Sequence, residues 1–255
     1  MLVSIILTAF IGFIGIILHR RSRLEEKVFK NIPLSEWLTV FIFPLSFYIF
    51  WAIIVRNIIN RPFIPLIPLD DLDILAMMMF FLIYAFVGNA IHFTGKILWR
   101  YLRYQKESMA YKINEMFHGK LSHYIIYFDS LIILFLFAVL EINHPQQEPL
   151  SEFHIALIII AGIIFGVSST KAIFYTNEWF GGHNKPLFFL TFIILFILVS
   201  ISKGLKLQYH YYPVKLFITA IYTSVFVTFI VRQVLIYSKL NKKAKLRFLA
   251  KILSA

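Results

Sequence analysis

Long runs of apolar residues alternate with short polar stretches along almost the whole chain of 255 residues. A hydrocarbon layer of about 30 Å needs roughly 20 helical residues to cross it, and seven of the apolar runs reach or approach that length. The pattern predicts an all-α integral membrane protein in which residues 1–237 form a bundle of about seven transmembrane helices. The predicted spans are 2–18, 37–55, 74–95, 123–142, 154–174, 187–202 and 214–237.

Positive charge is distributed unevenly between the two sides of these spans. The basic stretch His19-Arg20-Arg21-Ser22-Arg23 follows the first span, which is typical of an uncleaved anchor with its N-terminus outside. With that orientation, and with Arg232 and Lys215 near the two ends of the last span counted on their nearer sides, the inner side carries 19 Lys and Arg and the outer side carries 5. Because loops rich in Lys and Arg stay in the cytoplasm, we expect the C-terminus inside, in a bacterial-type cytoplasmic membrane. The alternative is six spans, with residues 2–18 lying in the interface.

Composition narrows the function classes. Hydrophobic residues make up 60% of the chain and charged residues 15%, whereas soluble domains carry about 25% charged residues. A net charge of +12 would suit nucleic acid, but the basic residues lie in short flanks of apolar segments, so no nucleic-acid partner is expected. The absence of cysteine excludes disulfides, thiolate metal sites and cysteine nucleophiles.

Polar residues inside the spans mark the candidate site, because ionisable groups at membrane depth are costly and usually functional. Asn89, His92 and Lys96 share one helical face. At 1.5 Å of rise per residue, the polar residues fall in the cytoplasmic third of the bilayer, and the outer two thirds should hold almost no ionisable side chain. The predicted polar intramembrane site comprises Asn89, His92, Asp129, Lys171 and Arg232.

Histidine and carboxylate side chains at this level are ligands that zinc and iron accept. The candidate metal ligands are His92, Glu115, His118, His123 and Asp129. Glu115 and His118 are three residues apart, which places them on one face of an α-helix, and His183 is a further histidine nearby. No His-Glu-x-x-His motif is present. A metal is therefore a candidate cofactor, bis-histidine haem through His92 and His123 is disfavoured, and any other cofactor is unknown.

These features leave three hypotheses open. The leading one is a channel or transporter for a small ion or anion, because Lys96, Lys171 and Arg232 would line a positive vestibule facing the cytoplasm. The second is an intramembrane enzyme that uses His and Asp side chains, with or without a metal. The third is a non-catalytic membrane subunit of a larger complex. No sequence motif decides between them.

Two further segments predict contacts with partners. Residues 238–255 mix basic and apolar residues at near-helical spacing, which is typical of an amphipathic cytoplasmic helix on an anionic inner leaflet. The predicted membrane-surface residues are Lys242, Lys243, Lys245, Arg247 and Lys251. In span 154–174, Gly162-x-x-x-Gly166 is a helix-packing pattern. It predicts close contact with another helix of this chain or, in a homo-oligomer or complex, with another protein.

Overall fold

The computed structural model describes residues 1–19, 23–30, 32–174 and 184–253. In this part of the chain helices predominate, and the long ones pack as a bundle. The helices are α1 Leu2–His19, α2 Arg23–Glu26, α3 Leu34–Ile59, α4 Asp71–Leu102, α5 Met109–Ile142, α6 Glu152–Ile173, α7 Asn184–Gly204, α8 Pro213–Ser238 and α9 Lys242–Leu253.

The bundle has two chemically different ends. The connections 60–70, 143–151 and 205–212 meet at one end, where Ile64 donates to the carbonyl of Asn143 and the backbone N–H of Gln146 donates to that of Tyr211. We call this the Arg61 end. The opposite end contains the connection 103–108 and the turn between α8 and α9, and we call it the histidine end.

Six helices, α3 to α8, are long and apolar enough to cross a membrane. This finding confirms an all-α, polytopic membrane protein. The apolar part of α1 is shorter, but α1 packs against α3 and α6, and a Cβ added at Gly12 would lie 2.7 Å from the ring of Phe165. A seventh span through α1 and the orientation of the termini stay predictions.

Helices α4 and α5 extend beyond the predicted spans 74–95 and 123–142. At the start of α4 the Asp70 side chain accepts a hydrogen bond from the backbone of Asp73, whose carboxylate accepts one from the backbone of Asp70. This reciprocal pair is a capping box. At the other end α4 continues through Trp99, a residue type that suits the membrane interface. Hydropathy underestimates the length of such helices, because a helix can continue through polar residues at the bilayer boundary.

The second half of α5 lies at the centre of the core. Every residue from 136 to 142 is buried. Trp51 of α3 stacks on Phe137 with 4.1 Å between ring centroids, and the Tyr222 hydroxyl of α8 donates to the carbonyl of Leu131. Helix α5 therefore connects the apolar core to both ends of the bundle.

The two glycines of α6 pack against another helix of the same chain. A Cβ at Gly162 would lie 2.6 Å from the Cβ of Ala220, and one at Gly166 would lie 2.6 Å from the carbonyl oxygen of Ile221. Both neighbours belong to α8. A homo-oligomer or partner contact through span 154–174 stays a prediction, and it would have to use another face of the helix.

Two local features were not predicted. Strands β1 (Val28–Phe29) and β2 (Ile32–Pro33) form a short antiparallel hairpin before α3. Helices α3 and α5 each contain a π-helical segment, Leu38–Ile42 and Met116–Ser122. Such segments often occur at functional sites, and the second one carries a candidate ligand.

Candidate metal centre

Three histidine side chains meet between α4 and α5 near the histidine end. The ring centroids of His92 and His118 are 4.7 Å apart, those of His92 and His123 are 4.8 Å apart, and those of His118 and His123 are 5.8 Å apart. One nitrogen of each ring lies within 4.8 Å of the other two. His92 is buried, and the other two are half-buried. Within the described ranges, no other group of three His, Cys, Asp or Glu side chains brings its ligand atoms so close.

The π-helical segment explains how two histidines of α5 can face the same way. His118 and His123 are five residues apart, and in an α-helix of 3.6 residues per turn they would point about 140° apart. The segment Met116–Ser122 ends directly before His123, and π-helical hydrogen bonds join residues five apart. Side chains at that spacing therefore share a face, and both histidines turn towards His92.

Small residues on α4 allow the two helices to approach each other. Gly88, His92 and Gly95 are spaced by four and three residues, so they share one face, and all three are buried. A Cβ at Gly95 would lie 2.5 Å from the Cβ of His118. The side-chain amide of Asn114 donates to the Gly95 carbonyl at 3.0 Å. Gly95 is thus the position where the backbone of α4 admits a histidine of α5.

The histidine group lies near one boundary of the hydrocarbon layer. Both distances are measured along the helices from the Arg61 end. At 1.5 Å per residue, His92 lies roughly 32 Å from Asp71 along α4, and His123 lies roughly 29 Å from Ile142 along α5. The hydrocarbon core is about 30 Å thick, so both positions correspond to the same level. Trp99 follows just beyond it, as aromatic residues do at membrane interfaces. The group therefore lies close to the level where the hydrocarbon layer meets the aqueous phase.

A partly buried ion pair lies beside the histidine group. Lys96 is one helical turn after His92, and its Nζ atom lies 4.0 Å from Oε1 of Glu36 in the first turn of α3. The Glu36 side chain is only 1% exposed. The positive charge of Lys96, which would have lined the predicted anion vestibule, is thus opposed by a carboxylate.

Two of the five predicted metal ligands lie outside the histidine group. Glu115 precedes the π-helical segment, and its predicted pairing with His118 assumed regular α-helical spacing. Asp129 is buried deeper in α5, and neither carboxylate belongs to the group. His183 lies outside the described residues.

The remaining candidates of the predicted intramembrane site have different environments. Asn89 is half-buried on α4, and Lys171 is exposed near the end of α6. Arg232 donates to the backbone carbonyl of the residue that follows α6. The Oδ2 atom of Asp129 has no hydrogen-bond partner among the described residues. Of the predicted set, His92 joins the histidine group, and a functional role for the others stays a prediction.

A second polar network, which the sequence analysis missed, lies at the Arg61 end. The sequence analysis expected almost no ionisable side chain in this part of the spans and did not single out Glu141 of α5, which is fully buried. Its Oε1 atom lies 2.9 Å from Nη1 of Arg61, and its Oε2 atom accepts from the backbone N–H of Lys215 at 2.7 Å. The charge is tolerated because each carboxylate oxygen has a donor.

Asn143 and His144 attach the connection 60–70 to this network. The Asn143 side chain makes four hydrogen bonds to backbone groups of Leu66, Ile67 and Leu69. The carbonyl of His144 accepts from the Arg61 guanidinium at 2.9 Å. A polar cavity of about 300 Å³ opens beside the network. The Arg61 end is therefore built from paired polar groups, and no three ligand atoms of its described residues converge as the histidines do.

The donor set at the histidine end suits a transition metal. Neutral imidazoles bind zinc, copper, iron and nickel, whereas magnesium and calcium prefer oxygen ligands. Tetrahedral zinc with Zn–N bonds of about 2.0–2.1 Å holds its ligand nitrogens about 3.4 Å apart. Because the observed nitrogens lie within 4.8 Å of one another, small side-chain rotations would close the group on an ion.

Comparison with known proteins adds no family assignment. No protein-family model matches the chain, and no curated protein or solved structure matches it. A function must therefore rest on the residues and geometry described above.

Proposed function

We propose that this chain is a polytopic membrane protein that binds one transition-metal ion through His92, His118 and His123 and uses it as a catalytic centre at the histidine end. The observation that supports the proposal is the group of three imidazoles with ligand nitrogens within 4.8 Å of one another. Structural zinc sites have four protein ligands, whereas catalytic sites have three and keep one position for water or substrate. The described residues supply three.

The surroundings of the group fit this role. The tight contact at Gly95 fixes the ligands through two packed helices, and rigid elements position reactive groups better than loops do. The level of the group near the bilayer boundary places the open position close to the aqueous phase. A zinc-type ion activates bound water near neutral pH, so metal-assisted hydrolysis is the reaction class that the site supports best.

A transporter of metal ions is the second candidate, and one observation favours it. Asp129 lies deeper in α5 than His123, it is buried, and its Oδ2 atom lacks a partner among the described residues. A transport path with a second cation site would need a buried carboxylate of this kind. However, three hydroxyl groups of α7 and α8 are used locally, because Ser202, Thr223 and Ser224 donate to carbonyls of their own helices. Anion passage and the role of a non-catalytic subunit stay predictions.

Cobalt titration of the purified full chain in detergent tests the proposal, because Co²⁺ replaces zinc and absorbs visible light. We expect one Co²⁺ per chain and a further spectral change when azide is added, since an open coordination position accepts an anion. His92→Ala should abolish the absorption. The matched control is His154→Ala, which removes an exposed histidine in the first turn of α6 and should leave the absorption unchanged.

Three results would contradict parts of the proposal. A spectrum unchanged by His92→Ala would show that the ligands are misassigned. A bound Co²⁺ that does not respond to azide would show a closed site with four protein ligands, and His183→Ala would then test whether His183 is the fourth. Zinc flux into proteoliposomes that is lost in both His92→Ala and Asp129→Asn would favour transport over catalysis.

A further inference from the structure

Helix α9 carries a cationic surface that the metal centre does not use. The sequence from Lys239 to Leu253 contains six Lys and Arg and no Asp or Glu. Helix α8 ends at Ser238 and α9 begins at Lys242. A connection of this length spans at most about 14 Å. Because α8 is one of the helices long and apolar enough to cross the membrane, α9 is held close to the membrane surface.

One side of α9 is fixed against the end of α8. Asn241 caps the helix, with its side chain accepting from the backbone N–H of Ala244 at 2.9 Å. The rings of Tyr237 and Phe248 are 5.4 Å apart, and Nζ of Lys245 lies 5.3 Å from the Tyr237 ring centroid. These contacts orient the helix and determine which of its side chains remain exposed.

The exposed side combines positive charge with an apolar residue. Lys242, Lys243 and Arg247 are exposed, and Leu246, which lies among them on the helix, is 64% exposed. An exposed apolar residue among long basic side chains is typical of a helix that lies in a membrane interface. At a bilayer surface the leucine enters the interface while long basic side chains extend to the headgroups.

We infer that α9 docks on anionic phospholipid headgroups through Lys242, Lys243 and Arg247, with Leu246 inserted into the interface. A lipid surface is the partner because α8 places a bilayer within reach of α9 and because the exposed side chains match it in both charge and polarity. Each Lys or Arg near an anionic surface strengthens the attachment about fivefold. The side chain of Lys251, also predicted to contact the membrane, lies outside the described residues.

A spin label at position 246 tests the docking in the full chain. The sequence contains no cysteine, so Leu246→Cys provides a unique attachment site on an exposed side chain. In vesicles of phosphatidylcholine mixed with phosphatidylglycerol, we expect the label to be protected from a water-soluble nickel chelate and accessible to oxygen. In phosphatidylcholine alone, or at high salt, the label should become accessible to the chelate, since charge attraction is then absent or screened.

Charge variants in the labelled chain make the test quantitative. Lys243→Gln with Arg247→Gln should reduce the ratio of docked to undocked helix about 25-fold, which is fivefold for each cation. Lys203→Gln, an exposed lysine at the Arg61 end, is the matched control and should leave the ratio unchanged.

Two results would overturn the inference. A label that is equally accessible to the chelate with and without phosphatidylglycerol would show that lipid charge does not hold the helix. A label protected from the chelate in neutral vesicles even in the double variant would show that anionic headgroups do not hold α9, and low oxygen accessibility would then place the label against protein. Neither outcome depends on metal binding, so this inference and the proposed function can fail separately.

Discussion

The two ends of the bundle hold their buried polar groups in different ways. At the Arg61 end, both carboxylate oxygens of Glu141 have a donor, and Asn143 makes four hydrogen bonds to one connection. At the histidine end, three imidazoles of the same chemical type face one another across a glycine contact. Polar groups that pair a donor or cation with an acceptor stabilise a fold. Several potential metal ligands of the same type that point at one another are instead suited to binding an ion. The comparison therefore supports a structural role for the first end and the proposed metal centre at the second.

The backbone is also regular at the Arg61 end and irregular at the histidine end. The buried carboxylate lies in a regular α-helical part of α5, and its partner comes from a connection 80 residues away. The histidine group needs a π-helical segment and a glycine that no side chain could replace without movement. Departures from regular local structure are expected at functional sites, where they are compensated elsewhere.

The largest expected effect comes from breaking the buried pair at the Arg61 end. Glu141→Ala should lower the free energy of unfolding by about 3–5 kcal/mol, because it leaves the Arg61 guanidinium buried without its carboxylate. Glu152→Ala is the control. It removes a mostly exposed partner of His210 and should cost less than about 1 kcal/mol. Unfolding in mixed micelles measures both values, and equal losses would contradict the structural role of the pair.

Moving one histidine by a single position tests the π-helical segment. In the double variant His118→Ala with Gly119→His, the new histidine lies four residues before His123, which is the ligand spacing of a regular α-helix. A Cβ at Gly119 meets only ordinary contacts. We expect metal affinity to fall about 100-fold or more, since even outer-shell substitutions cost 10–100-fold. Cobalt titration that shows full affinity would instead indicate that this part of α5 is α-helical.

A single methyl group should disturb the contact between α4 and α5. Gly95→Ala places a Cβ in the space of His118, and overpacking of this kind costs about 1–3 kcal/mol. The forced separation should also weaken metal binding about tenfold. Gly204→Ala is the matched control, because nothing lies within 4 Å of its Cβ position. A variant at position 95 that behaves like the control in both assays would contradict the close approach.

The smallest effect is expected for Asp129→Asn. The carboxylate does not belong to the histidine group, and its Oδ2 atom has no partner to lose among the described residues. We expect less than about 1 kcal/mol of change in unfolding free energy and no change in metal stoichiometry. Loss of bound metal in this variant would extend the site to Asp129 and weaken the contrast between the two ends.

The membrane architecture could be predicted because it depends on the lengths of apolar runs. The six long helices contain the cores of the spans predicted from residue 37 onward. The ends of α4 and α5 could not be predicted, since these helices continue through interfacial residues such as Trp99. The hairpin Val28–Phe29 and Ile32–Pro33 has no clear signal at a length of two residues per strand.

The candidate ligands could be named from the sequence, but it could not be predicted that three of them would face one another. His92, His118 and His123 were candidates by residue type and level, yet regular α-helical spacing separates the last two by about 140°. Gly95, three residues after His92 on the same face, was the available sign of a close helix contact. The pair of Arg61 and Glu141 was missed because a pairing across 80 residues leaves no local pattern.

Zinc content is the most direct test of the central claim, that three histidines make the end of this bundle a metal centre. The purified full chain is loaded with zinc, excess ion is removed by gel filtration, and the metal is quantified by mass spectrometry. We expect one zinc ion per chain, and none in the variant with His92→Ala, His118→Ala and His123→Ala, which should retain its helical content. A folded wild-type chain without zinc, or a triple variant that retains it, would show that the three histidines do not form a metal centre.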